Sequence, residues 1–174
     1  MKRTASIVGG LVAMVALILA APRALGGGLP TNLQAALLKK IIAYDTSLEG
    51  KAVKVLVVGD SSEAGSLTRA LELLGLSASQ VAPAKLPKTA DPGTVVFVAS
   101  STEAPAGLAD LCVGSRLLSV APGAALAEAG TVSVGLGEKS DGRPEIVIHR
   151  SRCHQEGHVF RASLLALARL MGGP

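Results

Sequence analysis

The sequence is poor in aromatic residues and in cysteine. Its 174 residues include no Trp, one Tyr, two Phe and two Cys. The core must therefore be built from aliphatic side chains, and a scaffold held together by several disulfides is excluded. A mature chain of about 150 residues buries about two-thirds of its unfolded surface, which is enough for a core without metal or disulfide staples. We therefore predict a single domain.

The net positive charge is also small once the first 26 residues are set aside. The formal charge is +4, but Lys2, Arg3 and Arg23 belong to that opening segment. The remainder is close to neutral and offers no basic footprint of the kind that binds a nucleic acid. A nucleic-acid partner is therefore not expected.

The opening segment has the pattern of a secretory signal peptide. Two basic residues precede an uncharged apolar run, 7–21, which is shorter than the about 20 residues that span a bilayer. Small residues at Ala24 and Gly26 predict cleavage after Gly26, and an uncleaved N-terminal anchor is the alternative. No second run of spanning length follows. We predict export to the periplasm, with residues 27–174 forming a protein that is soluble after cleavage.

Along these residues the apolar positions alternate between helical and strand patterns. The patterns predict helices over 33–42, 66–74, 106–113, 122–129 and 159–171, and strands over 52–58, 80–82, 94–99, 116–121, 131–136 and 145–149. Thr31 or Asn32 is expected to cap the first helix. This alternation predicts an α/β fold, a single three-layer domain with a largely parallel sheet and helices on both faces. The last two strands flank a polar turn and are expected to form an antiparallel hairpin at the edge of the sheet.

Three segments carry a more specific pattern. They are the first helix with the strand after it (LQAALLKKIIAYDTSLEGKAVKVLVVGD), a middle strand (TVVFVAS) and a tail (AEAGTVSVGLGEKSDGRPEIVIHR followed by FRASLLALARLM). In this order they resemble the YfiR-like family of periplasmic regulators over residues 33–171. The resemblance implies a non-enzymatic α/β protein that binds the periplasmic part of an inner-membrane diguanylate cyclase and holds it inactive. It thereby implies a role in cyclic-di-GMP signalling and biofilm control.

The two cysteines form an even pair in a chain predicted to be exported. A disulfide between Cys112 and Cys153 is the default expectation in that compartment. It would stabilise the fold by about 3–4 kcal/mol in the chain-entropy model. The alternative is a buried Cys112 that acts as a small apolar side chain, with Cys153 as a free thiol.

All three histidines fall in one short stretch of sequence. His149, His154 and His158 are candidate ligands for a metal ion, because histidines four residues apart on a helix can bind Zn²⁺ or Cu²⁺. Gly157 disfavours a continuous helix there, so the stretch is expected to be a solvated loop before the last helix. The metal site therefore stays open.

A Gly-Asp-Ser-Ser sequence follows the first predicted strand. Gly59, Asp60, Ser61 and Ser62 form a candidate ligand loop, since open α/β sheets bind small molecules where their strands end. The same residues resemble the nucleophile block of SGNH serine hydrolases, with Ser61 as the nucleophile. The Asp-x-x-His pattern that would supply the base is missing. The simplest interpretation is a turn at Gly59 and a helix cap at Asp60, Ser61 or Ser62.

These observations favour a binding protein over an enzyme. We expect a regulator that contacts a membrane sensor or cyclase, using the end of the first helix and exposed loops. A periplasmic protein that binds a small ligand or a metal ion is the alternative, and a serine hydrolase is the weaker one. No cofactor is expected, and a homodimer stays open.

Overall fold

A computed structural model describes residues 28–101 and 103–173, and the predicted signal peptide lies outside them. The helices in these residues are α1 Thr31–Tyr44, α2 Ser62–Leu73, α3 Leu108–Ser115, α4 Ala125–Glu128, α5 Arg150–Glu156 and α6 Ala162–Leu165. The strands are β1 Lys54–Val58, β2 Ser77–Val81, β3 Thr94–Val98, β4 Leu118–Pro122, β5 Val134–Glu138, β6 Pro144–His149 and β7 Arg169–Met171.

The strands form one sheet in the order β2-β1-β3-β4-β5-β6-β7. Every neighbouring pair is parallel except β5 and β6, which run antiparallel with Leu136 opposite Ile146. The predicted α/β fold with a largely parallel sheet is therefore confirmed. The predicted hairpin also forms, but it does not lie at the edge, because β7 adds a further parallel strand beyond β6.

Two aliphatic cores cover the two faces of the sheet. In β3, Val95 and Phe97 point to one face while Val96 and Val98 point to the other, as the two-residue period of a strand requires. Helices α1 and α2 pack on the first face, and α3 and α4 pack on the second. All five residues of β3 are buried, as expected for a central strand of a parallel sheet. The three-layer architecture is thus confirmed.

The first helix begins and ends close to the prediction, but without the predicted cap. Helix α1 starts at Thr31, and the residue in the capping position is Pro30, which makes no side-chain capping bond. Thr31 and Asn32 lie inside the helix, so neither is its cap. In α2 the predicted cap is present: Ser61 Oγ accepts a hydrogen bond from the backbone N–H of Ala64 at 3.2 Å.

The C-terminal segment differs most from the prediction. The stretch 150–156, expected to be a loop, is helix α5, and the long helix expected over 159–171 is the short α6 followed by β7. Phe160 and Leu164 are buried, but Leu167, which would share their face on one long helix, is 69% exposed. Backbone pairing of β7 with 147–149 of β6 replaces the helical hydrogen bonds that the local sequence pattern predicted.

Five strands, β2, β1, β3, β4 and β5, run in the same direction, so the sheet has an end where these strands begin and an opposite end where they stop, here called the amino edge and the carboxyl edge. Strand β6 runs the opposite way, so it ends at the amino edge and leads directly into α5. The two edges carry different kinds of polar group.

Candidate functional site

The carboxyl edge carries a cleft between β1 and β3. Helix α2, which follows β1, packs on one face of the sheet, and α3, which follows β3, packs on the other. The loops after these adjacent strands therefore diverge, which makes this the topological switch point where α/β sheets bind ligands. The cleft has a volume of about 670 Å³, within the range of small-molecule pockets.

Three loops line this switch-point cleft. Gly59, Asp60 and Ser61 come from the loop after β1, and Glu103 comes from the loop after β3. The third loop follows β2 and contributes Pro83, Ala84 and Leu86. The aliphatic part of the lining consists of Val58, Val98, Ala99, Pro83, Ala84, Leu86, Ala104, Pro105 and Ala106. Three of the four predicted ligand-loop residues thus line the cleft. Ser62 does not, because it is the first residue of α2.

Gly59 lets the two loops approach each other closely. A Cβ atom at Gly59 would lie 2.9 Å from the Cβ of Ala99 and 3.3 Å from that of Ala64. The backbone N–H of Gly59 donates to Val81 at 2.9 Å, and that of Ala99 donates to Val58 at 2.8 Å. These bonds fix the mouth of the cleft as a continuation of the sheet. A larger residue at position 59 would separate its two walls.

Ser61 has a structural role in this arrangement. Its hydroxyl caps α2, so its lone pair is directed at the helix N-terminus. The chain's histidines lie elsewhere: His149 ends β6 at the amino edge, His154 lies in α5, and His158 follows α5. The structure therefore does not bring Ser61 together with a histidine base, as a serine hydrolase needs.

A second, smaller cleft opens on the same edge. It has a volume of about 390 Å³ and lies beside the start of α1 and the ends of β3 and β4, with Gln34, Glu63 and Phe97 among its lining residues. Ala99 lines both clefts. The carboxyl edge is thus open on both faces of the sheet.

The part of the amino edge at β4 and β5 is instead closed by a buried polar cluster around Glu156. Its carboxylate is fully buried and accepts four hydrogen bonds. Ser119 donates its backbone N–H at 2.9 Å and its hydroxyl at 2.6 Å, the hydroxyl of Ser133 donates at 2.6 Å, and Arg152 Nε donates at 2.8 Å. The Ser119 hydroxyl also accepts the N–H of Ser133 at 2.8 Å. This cluster joins α5 to the start of β4 and of β5.

Arg152 neutralises the Glu156 carboxylate, but one nitrogen of its own guanidinium makes no hydrogen bond. The two side chains form an ion pair one helical turn apart, with side-chain exposures of 9% and 0%. Within the part of the chain that the structure describes, Arg152 Nη2 is the one buried side-chain nitrogen or oxygen without a hydrogen-bond partner. A buried charge is tolerated only when it is paired, so Glu156 and Arg152 depend on each other.

A second buried pair holds the end of α1 against the segment after α5. His158 Nδ1 lies 2.6 Å from Asp45 Oδ2, and both side chains are buried. Asp45 Oδ1 also accepts the N–H of Ser47 at 2.9 Å. The other ring nitrogen, Nε2, faces the carbonyl oxygen of Arg116 at 3.3 Å. A carboxylate oxygen and a carbonyl oxygen can only accept hydrogen bonds. Nδ1 and Nε2 can therefore both donate here only when each ring nitrogen carries a proton.

Backbone contacts extend this junction, which we call the α1 clamp and define as residues 44–49 with 158–161. Thr46 donates its N–H and its hydroxyl to Val159 O, each at 2.9 Å, and Arg161 N–H donates to Tyr44 O at 2.9 Å. Val159 N–H donates to Ser47 Oγ at 3.0 Å. Val159 itself is 62% exposed, so the clamp presents an apolar side chain on a fixed backbone.

The three histidines do not gather into a metal centre. His149 caps α5 by accepting the N–H of Arg152 at 3.2 Å, His154 is exposed, and His158 is bonded to Asp45. Gly157 ends α5 with a left-handed conformation, so His154 and His158 do not share a helical face. Among residues 28–101 and 103–173, no group of three or more His, Cys, Asp or Glu side chains could hold a metal ion.

The predicted disulfide is absent, since Cys112 and Cys153 are free, buried thiols. Cys112 packs in the core of the second face, whereas Cys153 packs in that of the first and donates its thiol to Ser133 O at 3.7 Å. Burial raises the pKa of Cys153 to about 12 and that of Cys112 further still. Both thiols are therefore protonated and unreactive in the folded protein at neutral pH.

Sequence reasoning missed the residues that close the amino edge. Glu156 and Asp45 gave no sequence signal, because their partners are 113 residues away for Asp45 and up to 37 for Glu156. The one available hint was that Glu156 is the only acidic residue in the stretch 146–174. A lone carboxylate among basic residues is a candidate for a buried ion pair.

Comparison with known proteins adds no family assignment: no protein-family model matches the chain, and no curated protein is significantly similar to it. None of the helices within the described ranges is both long and apolar enough to cross a membrane. Function must therefore be argued from the geometry, together with the resemblance of the three segments.

Proposed function

We propose that this chain is a non-enzymatic regulatory protein of the YfiR-like type. It acts in the periplasm by binding the exported part of an inner-membrane signalling protein of the diguanylate cyclase type and repressing it. Of the elements that carry the resemblance, α1, β1, β3, β5 and β6 are present, whereas the tail segment 160–171 forms the short α6 and β7 in place of one helix. The proposal beyond the fold rests on the sequence resemblance and on the α1 clamp.

The observation that carries the proposal is the exposed apolar side chain on the clamp. The end of the first helix is where we expected a partner to bind, and Val159 lies there with 62% of its surface exposed. Hydrogen bonds to Thr46 and Ser47 hold the Val159 backbone on both sides. A preorganised apolar contact loses little entropy on binding, which is what a protein–protein anchor requires.

Repression on this account needs no covalent chemistry. The exposed ion pair between Arg161 and Glu49, at 3.3 Å, belongs to the same clamp as Val159 and supplies polar groups for the rim of an interface centred on that side chain. Interfaces commonly combine an apolar centre with such a rim. Occupancy of the partner's surface is then sufficient to hold it in one conformation.

Affinity capture from the native host tests this proposal. The full-length chain with a C-terminal tag is exported by the cells and recovered from solubilised membranes, alongside Val159→Asp and the control Leu73→Asp. Leu73 is 84% exposed and lies on α2, outside the clamp. We expect an inner-membrane cyclase or sensor with the parent chain and the control, and its loss with Val159→Asp. Equal recovery from all three chains, or no signalling protein from any, would contradict the proposal.

The switch-point cleft favours a second candidate function, the binding of a small ligand. Its volume, its position at the ends of β1 and β3, and its mixed aliphatic and polar lining are those of a ligand pocket. A ligand there would make the protein a small-molecule-binding regulator. Substitution of Gly59 by Val tests this candidate, because the added side chain would clash with Ala99 and Ala64 and displace the walls of the cleft. It should abolish ligand-induced thermal stabilisation, and a parent chain that no small-molecule collection stabilises would contradict the candidate.

A further inference from the structure

We propose that the switch-point cleft binds a small organic cation, with an ammonium or guanidinium head held between Asp60 and Glu103 and an aliphatic body against the cleft wall. This inference rests on the second candidate function above, and it names the chemical class of the ligand.

The charge of the cleft indicates which ligands it favours. Asp60 and Glu103 are its charged lining residues, and both are acidic. They come from the two diverging loops, one after β1 and one after β3, so each loop contributes one carboxylate to the lining. Neither carboxylate forms an ion pair with a described residue, whereas Glu49, Asp91, Asp141 and Glu145 each have an Arg or Lys partner. The cleft therefore presents two negative charges that the fold itself leaves uncompensated.

The positive ends of the helix dipoles at the cleft do not cancel its negative charge. Helix α2 begins at Ser62, and α3 begins at Leu108, two residues after the lining residue Ala106. Each N-terminus carries about half a positive charge, so together they offset about one of the two carboxylates. Glu63 and Asp110, in the first turns of the two helices, add further negative charge. Lys85 lies between the lining residues Ala84 and Leu86 but is not itself in the lining, so the charged side chains that the structure places in the lining are all acidic and favour a cation.

The remainder of the lining defines the rest of the ligand. Val58 and Val98 are buried at the floor, and Leu86, Pro83 and Pro105 line the cleft with them. These aliphatic groups favour an apolar chain, since each buried methylene contributes about 0.8 kcal/mol. The lining contains no aromatic ring, so recognition of the head depends on N–H donors to carboxylates rather than on an aromatic cage. A primary amine or a guanidine fits this chemistry better than a quaternary ammonium.

Three probes of equal chain length and different charge test the assignment: hexylamine, 1-hexanol and hexanoate. Binding is followed by calorimetry and by backbone amide shifts in the NMR spectrum of the protein. We expect hexylamine to shift the amides of residues 58–61, 98–101 and 103–106 and to bind more tightly than the other two. Replacement of both carboxylates, Asp60→Asn with Glu103→Gln, should weaken hexylamine binding by about threefold for each charge removed, since exposed ion pairs are worth up to about 1 kcal/mol.

A matched variant controls for net charge. Glu72→Gln with Glu138→Gln removes two exposed carboxylates outside the cleft lining, and it should bind hexylamine like the parent chain. Hexanoate or hexanol binding as tightly as hexylamine in the same residues would overturn the cation assignment and leave the ligand-binding candidate standing. Failure of all three probes, and of a wider small-molecule collection, to shift the cleft amides would overturn both.

Discussion

The two edges of the sheet treat polar side chains in opposite ways. At the amino edge, Glu156 is fully buried and accepts four hydrogen bonds, and Asp45 is buried against His158. At the carboxyl edge, Asp60 and Glu103 are exposed and have no ion-pair partner among the described residues. Polar groups that saturate one another hold the fold together, whereas polar groups that face open space are available to a ligand.

The largest expected effect comes from breaking the Glu156 cluster. Glu156→Gln replaces an acceptor oxygen by a donor that faces other donors, and it leaves the Arg152 charge without its partner. Loss of one member of a buried ion pair costs about 3–5 kcal/mol of the free energy of unfolding. Urea denaturation of the parent and variant measures the difference.

Glu103→Gln provides the matched control at the carboxyl edge. An exposed carboxylate without a partner should change the free energy of unfolding by less than about 0.5 kcal/mol. Similar losses for Glu103→Gln and Glu156→Gln would show that carboxylates at the two edges contribute equally to the free energy of unfolding.

The Asp45–His158 pair should give the next largest effect. We expect a coupling energy of about 1.5–3 kcal/mol between Asp45→Asn and His158→Gln, as for a hydrogen bond to a charged group. A double-mutant cycle by urea denaturation isolates this energy from the effects of each substitution alone. Additive single and double variants would mean that the contact does not stabilise the clamp.

The buried thiols predict a dependence of stability on alkaline pH. The pKa of Cys153 is raised from 9.0 to about 12, so the folded state holds this proton after the unfolded state has lost it. The thiol's contribution is therefore fully present below pH 9 and is lost as the pH rises from 9 towards 12, by about 1.4 kcal/mol per pH unit. Denaturation of the parent and of Cys153→Ala across this range measures the difference in slope.

The same cysteines give a direct test of the missing disulfide. At pH 8 the folded protein should react slowly with a thiol reagent, and both cysteines should react after unfolding in guanidinium without a reductant. Two reactive thiols agree with the free cysteines of the structure. No reactive thiol would establish the disulfide between Cys112 and Cys153 instead.

A smaller loss of stability is expected at the carboxyl edge, where Ser61 caps α2. Ser61→Ala should lower the free energy of unfolding by about 1 kcal/mol, and Ser61→Asp should restore most of it. Ser62→Ala is the neighbouring control, since Ser62 lies inside the helix. A Ser61→Ala variant as stable as the parent would remove the capping role.

Sequence patterns predicted helices and strands best where all the buried residues are apolar. Strands β1 and β3 have continuous β-branched runs, and α1 has apolar residues at helical spacing, so their positions were predictable. Helix α5 was missed because Gly157, which ends this helix, disfavours any helix there in the sequence pattern, and because two of its buried residues, Arg152 and Glu156, are charged. Strand β7 was missed because its local pattern is helical, and only its pairing with β6 decides its structure.

One wall of the switch-point cleft was predictable, because it directly follows a strand that the sequence pattern reveals. Gly59, Asp60 and Ser61 follow a recognisable strand, so a ligand loop was expected there. The opposite wall, including Glu103 and Leu86, depends on the order of strands in the sheet, which no local pattern specifies. The α1 clamp depends on contacts between residues more than 110 positions apart.

Photocross-linking in cells tests the central claim, that this protein acts by binding a partner through the α1 clamp. A benzophenone amino acid is placed at position 159 or, as the control, at the exposed position 73 on α2. The account predicts an adduct with an inner-membrane signalling protein from position 159 and none from position 73. Adducts of equal yield from both positions, or an adduct from position 73 alone, would contradict it.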